Sequence, residues 1–120
     1  KLYVNDCVQN RMRPEQVLYF SPNSFGTADA ISFKNDTLKV FDLKTGDRDA
    51  SMDQLYIYAA LFCLEYDYAP GKIDILTRIY QKGDYFEEHP TAEDILPIMD
   101  TIKTFDKLIE EYKEESRYEI

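Results

Sequence analysis

The stretch FGTADAISFKNDTLKVFDLKTG, residues 25–46, constrains the fold more than any other part of the chain. Asn35-Asp36 separates two runs of alternating character, the pattern of a two-residue β-hairpin loop. A symmetric loop sets Phe33 opposite Leu38, Ile31 opposite Val40, Asp29 opposite Asp42 and Thr27 opposite Lys44. Because strand side chains alternate faces, all eight are expected on one side of the sheet. Aspartate is disfavoured in strand interiors, and like charges facing each other are destabilising. A cation or a proton is therefore expected between Asp29 and Asp42.

Around this hairpin the chain reads as α-β-β-β-α-β-α. Residues 1–12 form the end of a helix, with Leu2, Val4, Val8 and Met12 loosely periodic, and Arg13-Pro14 stops it. A short strand covers 15–20, and the hairpin strands cover about 25–33 and 38–44. Ser51 is the expected N-cap of a helix over about 52–67, with Asp53 in its first turn. That helix is apolar on most sides, as a central helix is. Pro70-Gly71 ends it, 72–81 is a strand, Lys82-Gly83-Asp84 a turn and YFEEHP a short extended piece. Thr91 and Asp94 form a capping box that opens a helix running to about residue 116, through Pro97. The fold class is α/β, a mixed sheet flanked by helices with a further helix at the C-terminus.

The 120 residues make one domain, 1–120. Lys1 opens the chain without a Met, which allows for upstream residues. No apolar run is long enough to span a membrane. Cys7 and Cys63 fall in partly apolar helical stretches and read as buried free thiols in a reducing, cytoplasmic compartment. The net charge of −9 is unevenly spread. Residues 1–50 hold seven acids and seven bases, whereas 91–120 hold nine acids and four bases. The C-terminal acids read as a solvated helix face, and an acidic chain does not bind nucleic acid by charge alone.

Several groups converge at the far end of the hairpin. Lys44 follows Asp42 by two residues, Gln54 and Tyr58 share one face of the next helix, and Glu15 opens the preceding strand. Two or three carboxylates without histidine or cysteine are hard oxygen ligands, suited to Mg2+ or Mn2+ rather than zinc. A lysine beside such a site can orient an attacking water or stabilise developing phosphate charge. The plainer alternative is a Lys44 salt bridge to Asp42 or Asp29 at a strand end. His89, beside Pro90 in a loop, is assigned no catalytic role.

Three segments in order, FGTADAI, VFDLKTG and QLYIYAALF, resemble the PD-(D/E)xK nuclease superfamily, specifically its RecB-like and phage-exonuclease branches. Gly26 to Asp29 matches a Gly-x-x-Asp strand, with Ala28 where proline is common. Asp42-Leu43-Lys44-Thr45-Gly46 matches an Asp-x-Lys-x-Gly strand end, and Gln54 to Tyr58 a Gln-x-x-x-Tyr helix. The resemblance covers roughly residues 12–82 and implies a restriction-endonuclease-like αβββαβ core. Some relatives carry a histidine in an upstream helix, and this chain has none there.

What the resemblance implies is a Mg2+-dependent deoxyribonuclease hydrolysing phosphodiester bonds, a phage recombination or DNA-processing exonuclease working in the bacterial host's cytoplasm, with Mn2+ able to replace Mg2+. Asp29, Asp42 and the Leu43 carbonyl would hold the metal, joined by Glu15. Lys44 would position the nucleophilic water, while Gln54 and Tyr58 order the site or touch the DNA backbone. Arg48 is a further candidate for a phosphate contact. The acidity suggests that a homo-oligomer or a larger protein partner supplies basic surface. The alternative is a catalytically retired domain acting as a nucleic-acid-binding or assembly module of a larger protein.

Overall fold

The computed structural model describes residues 1–47 and 51–117. In chain order the elements are α1 (Leu2–Gln9), β1 (Arg13–Ser21), β2 (Ser24–Lys34), β3 (Thr37–Leu43), α2 (Asp53–Tyr66), β4 (Asp74–Gln81), β5 (Asp84–Glu88) and α3 (Ala92–Ser116). A short 3-10 turn, Pro70–Lys72, links α2 to β4. The order of the elements agrees with the sequence reading, and the extended piece YFEEHP lies partly in a fifth strand, Asp84–Glu88.

The strands form one mixed sheet in the order β1-β2-β3-β4-β5. Only β3 and β4 are parallel, and α2 makes the crossover that a parallel pair requires. Asn35 and Asp36 have φ of 52° and 57°, the left-handed pair of a type I′ turn, which aligns Phe33 with Leu38 and Ile31 with Val40. Lys82 and Gly83 repeat that conformation between β4 and β5. Every residue of the edge strand β5 is exposed, and its charged Asp84, Glu87 and Glu88 blunt the edge against pairing.

Two apolar layers sandwich the sheet. The main core joins Leu18, Ile31, Leu38, Val40, Ile75 and Ile79 to α2 and to Ile95 of α3. A smaller cluster on the opposite face packs Ala30, Phe41 and Tyr80 against Tyr3 and Cys7 of α1. Helix α2 lies against the sheet and is also packed by α3. That double cover explains why it is apolar on most sides. Asp67, with φ 58°, closes α2 in the left-handed conformation that aspartate tolerates. The expected N-cap shifts by one residue. Met52 occupies the cap position, while Ser51 Oγ accepts the Asp53 N–H at 3.2 Å. The Thr91 capping box is formed, with the Thr91 N–H donating to Asp94 Oδ2 at 2.8 Å. Helix α3 continues through Pro97 and is tied to the β1–β2 turn, where Ser21 and Asn23 donate to Asp106.

Cys7 and Cys63 are both free thiols, Cys63 buried and Cys7 half-buried. Burial pushes the Cys63 thiol up to about 11.

One part of the expected hairpin face is corrected. Thr27 does not share the face of Ile31 and Phe33. Ala28 packs into the α2-side core, Ala30 into the α1-side cluster and Ile31 back into the α2-side core. The strict alternation is therefore broken at Asp29. Glu15 stands across from Asp29 but is unpaired in the β1–β2 ladder, with a left-handed φ of 50°. Both strands change phase at this one step, leaving Thr27 exposed.

Candidate functional site

The break in β2 and the end of β3 bring Asp29 beside Asp42. Their ladder stops one pair earlier, at Ala30 and Phe41, so their side chains rather than their backbones meet. Asp29 Oδ2 accepts the Leu43 N–H at 3.2 Å, and its carboxyl group lies near enough to Asp42 to disfavour that group's charged form. Burial, then the Asp29 contact, pushes the Asp42 carboxyl up to about 6, and nearby Lys44 draws it partly back. A cation or a proton is expected between the aspartates; the raised Asp42 carboxyl holds its proton more tightly, and the Lys44 ammonium stands beside it.

Asp42 is 4 % exposed. Lys44 Nζ stands 2.7 Å from Asp42 Oδ2. Among the described residues that buried oxygen has no hydrogen-bond partner. The contact is an ion pair, and it leaves a carboxylate lone pair unused. Close pairing with Asp42 raises the Lys44 ammonium above its ordinary range, so it stays protonated at neutral pH. The strand end that carries Lys44 is held by its neighbours. The Lys44 N–H donates to the Tyr80 carbonyl and Gln81 Nε2 to the Gly46 carbonyl, each at 2.8 Å.

Helix α2 delivers two more of the expected groups. Gln54 Oε1 lies 3.5 Å from Lys44 Nζ. Tyr58, one turn later, is buried, and its phenol is raised by burial and then by the charges of Asp42 and Asp29. A Cβ on Gly26 would stand 2.8 Å from Tyr58 Cε1. Glycine at 26 therefore makes room for the tyrosine ring, which links the Gly-x-x-Asp and Gln-x-x-x-Tyr spacings physically.

Asp29, Asp42, Lys44, Gln54 and Tyr58 thus come together. Glu15 does not join them. It is exposed at the left-handed break of β1, and among the described residues no group of three or more His, Cys, Asp and Glu could hold a metal ion. Leu43 contributes its N–H to Asp29, while its side chain is exposed. Arg48 lies outside the described residues.

A group not anticipated from the sequence is Tyr3 of α1. Its phenol is pushed well above the ordinary range by burial, then by neighbouring Cys7, and then by Asp29 and Asp42. Only the i, i+4 spacing of Tyr3 and Cys7 hints at a shared helix face. Helix α1 is anchored by Asp6, which accepts from Tyr80 Oη at 2.7 Å and pairs with Arg78 Nη1 at 3.2 Å.

Chemically, the site brings together two carboxylates, both hard oxygen donors, one of which has a buried oxygen lacking a hydrogen-bond partner among the described residues. Such oxygens suit Mg2+ or Mn2+, and a small number of protein ligands suits Mg2+, which keeps several waters. Compared with known proteins, the sequence matches no family model and no curated protein.

Proposed function

We propose that this chain is a divalent-metal-dependent nuclease that hydrolyses DNA phosphodiester bonds. The observation that carries the proposal is the Asp29–Asp42 pair with its orphaned Asp42 Oδ2, 2.7 Å from Lys44 Nζ. Asp29, Asp42 and the Leu43 carbonyl would hold Mg2+ or Mn2+. A divalent cation there supplies Lewis-acid stabilisation of the negative charge that develops on phosphate.

The remaining work falls to side chains of this chain. Lys44, cationic and fixed at a held strand end, positions the attacking water and stabilises charge on the non-bridging phosphate oxygens. The water oxygen bonds to phosphorus as it loses a proton to solvent, the bond from phosphorus to the leaving oxygen breaks, and that oxygen takes a proton from solvent and leaves as a hydroxyl. Gln54 orients Lys44 from the side. Tyr58, kept as a neutral phenol, offers an O–H donor beside the carboxylates. Asp42 must lose its proton before it can act as a ligand, so activity rises with pH through about 6.

A second reading is a retired domain that binds nucleic acid or assembles a larger protein. The observation favouring it is that Lys44 already places a cation on Asp42, which partly offsets the facing charges without any metal.

Labelled linear and circular DNA, incubated with Mg2+, Mn2+ or EDTA, separate the two. A nuclease cleaves with either metal and not in EDTA, and Asp42→Asn or Lys44→Ala abolishes cleavage. Wild-type protein that binds DNA yet leaves it intact in both metals would favour the retired domain.

A further inference from the structure

We infer a nucleic-acid strand-binding pocket beside α2, toward the end of the sheet away from the Asp29–Asp42 pair. A cavity of about 410 Å³ opens there between β1, β2 and the C-terminal end of α2. Its walls combine Arg11, Arg13 and Lys34 with Phe33, Tyr66 and Tyr68, and no carboxylate lines it. In a chain with 23 acids and 14 bases, three cations and no acid around one cavity run against the overall charge. Among the described residues, no hydrogen bond or ion pair engages the side chains of Arg11, Arg13 or Lys34. All three are exposed and their charge is available to a ligand.

The aromatic wall is built into the core. Phe33 packs against Phe62 and Tyr68, with ring centroids 5.0 and 4.7 Å away. Tyr66 rests on Phe62 at 4.9 Å and is 48 % exposed. Packed aromatic faces beside exposed cations are the two components of a single-strand site, the rings stacking bases and the cations tracking phosphates. A free anion would use only the cations and an apolar ligand only the rings.

The position gives the pocket its use. Arg13 faces Ile31 across the β1–β2 ladder, two residues along β2 from Asp29. Phe33 lies four residues from Asp29, about 13 Å at the ordinary strand rise. A strand seated in the pocket therefore reaches toward the carboxylate pair along β2. This deepens the nuclease proposal and rests on it for the direction of the strand, though binding itself does not depend on a metal. It also gives an acidic chain a confined basic surface, built from the part whose charges balance.

The test uses the full chain carrying Asp42→Asn, in EDTA, so that neither metal nor cleavage enters. Binding of a fluorescein-labelled twelve-residue oligothymidylate is followed over a salt series. Replacing Arg11, Arg13 and Lys34 together by Ala should weaken binding at least tenfold. It should also reduce the log–log salt slope by about 2, the expectation for three lost single-strand phosphate contacts. Tyr66→Ala should weaken binding several-fold and leave the slope unchanged. Lys103→Ala with Lys107→Ala, on exposed positions of α3, should change neither quantity. Circular dichroism melts report whether each variant is folded, and Lys34→Ala alone, at an exposed site, gives a smaller loss in the same direction. Absence of binding by the parent, unchanged binding by the triple variant, or an equal loss in the α3 control would overturn the inference. So would thymidine monophosphate competing as well as the oligomer, which would mark a mononucleotide pocket. Binding that passes while wild-type cleavage fails would sink the nuclease proposal alone, and the reverse would sink only this pocket.

Discussion

Asp42 concentrates the chemistry of the molecule at one atom pair. Its carboxyl titrates near 6 because burial and Asp29 disfavour the charged form more than Lys44 favours it. A carboxyl whose folded value is raised binds its proton more tightly in the folded state. Its contribution to stability is therefore present at low pH and lost as pH rises from about 4 through about 6. In EDTA, the difference in melting temperature between wild type and Asp42→Asn should shift against the wild type across that window and be flat above it. A difference that does not change between pH 4 and 7 would mean that Asp42 is not strained. Above the window Asp42→Asn should be as stable as wild type or slightly more so, since one of two facing charges is gone. Gly26 supplies an independent check. An alanine there drives a methyl against the buried Tyr58 ring. Overpacking of this kind costs about 1–3 kcal/mol, measurable by denaturant unfolding.

At the scale of elements, the parts visible in the sequence were those where local chemistry decides the outcome. Asn35-Asp36 dictates a type I′ turn, so the register of β2 and β3 follows from the turn alone. Thr91 and Asp94 fix the start of α3 in the same local way. The approach of Asp29, Asp42, Lys44, Gln54 and Tyr58 was legible because the first three lie on one hairpin and the other two one helical turn apart. What could not be read is non-local. The phase change at Glu15 and Asp29 turns Thr27 away, and it needs two strands to break at a common step, which neither strand announces. Tyr3 depends on how α1 docks through Asp6 on Tyr80 and Arg78, side chains more than 70 residues away. Helix α3 is likewise secured by tertiary contacts. Ile95 is fully buried in the first turn beyond the cap. Ile95→Ala should cost about 2–5 kcal/mol, whereas Thr91→Ala, which removes only a cap, should cost about 0.5–2 kcal/mol. Equal losses in urea unfolding would show that packing at Ile95 does not anchor the helix.

Over the whole molecule, charge and apolar surface are segregated. The acidic C-terminal helix is mostly exposed and buries only Ile95. The neutral first part of the chain carries both the carboxylate pair and the three cations of the cavity. Few phosphates can be neutralised by so small a basic surface. The isolated domain should therefore bind single-stranded DNA with a shallow salt dependence, a log–log slope near 2 in magnitude. A slope of about 6 or more would place a large basic surface somewhere that three exposed cations cannot account for. A nuclease of this kind needs a divalent cation at the Asp29–Asp42 pair, and Mn2+ binding reports on that cation without any DNA. Titrated at pH 7.5 and followed by the loss of the free-ion electron paramagnetic resonance signal, wild-type protein should bind Mn2+ with a saturable site that is lost in both Asp29→Asn and Asp42→Asn. Undiminished Mn2+ binding in the two variants, or no saturable binding by the wild type, would contradict the account.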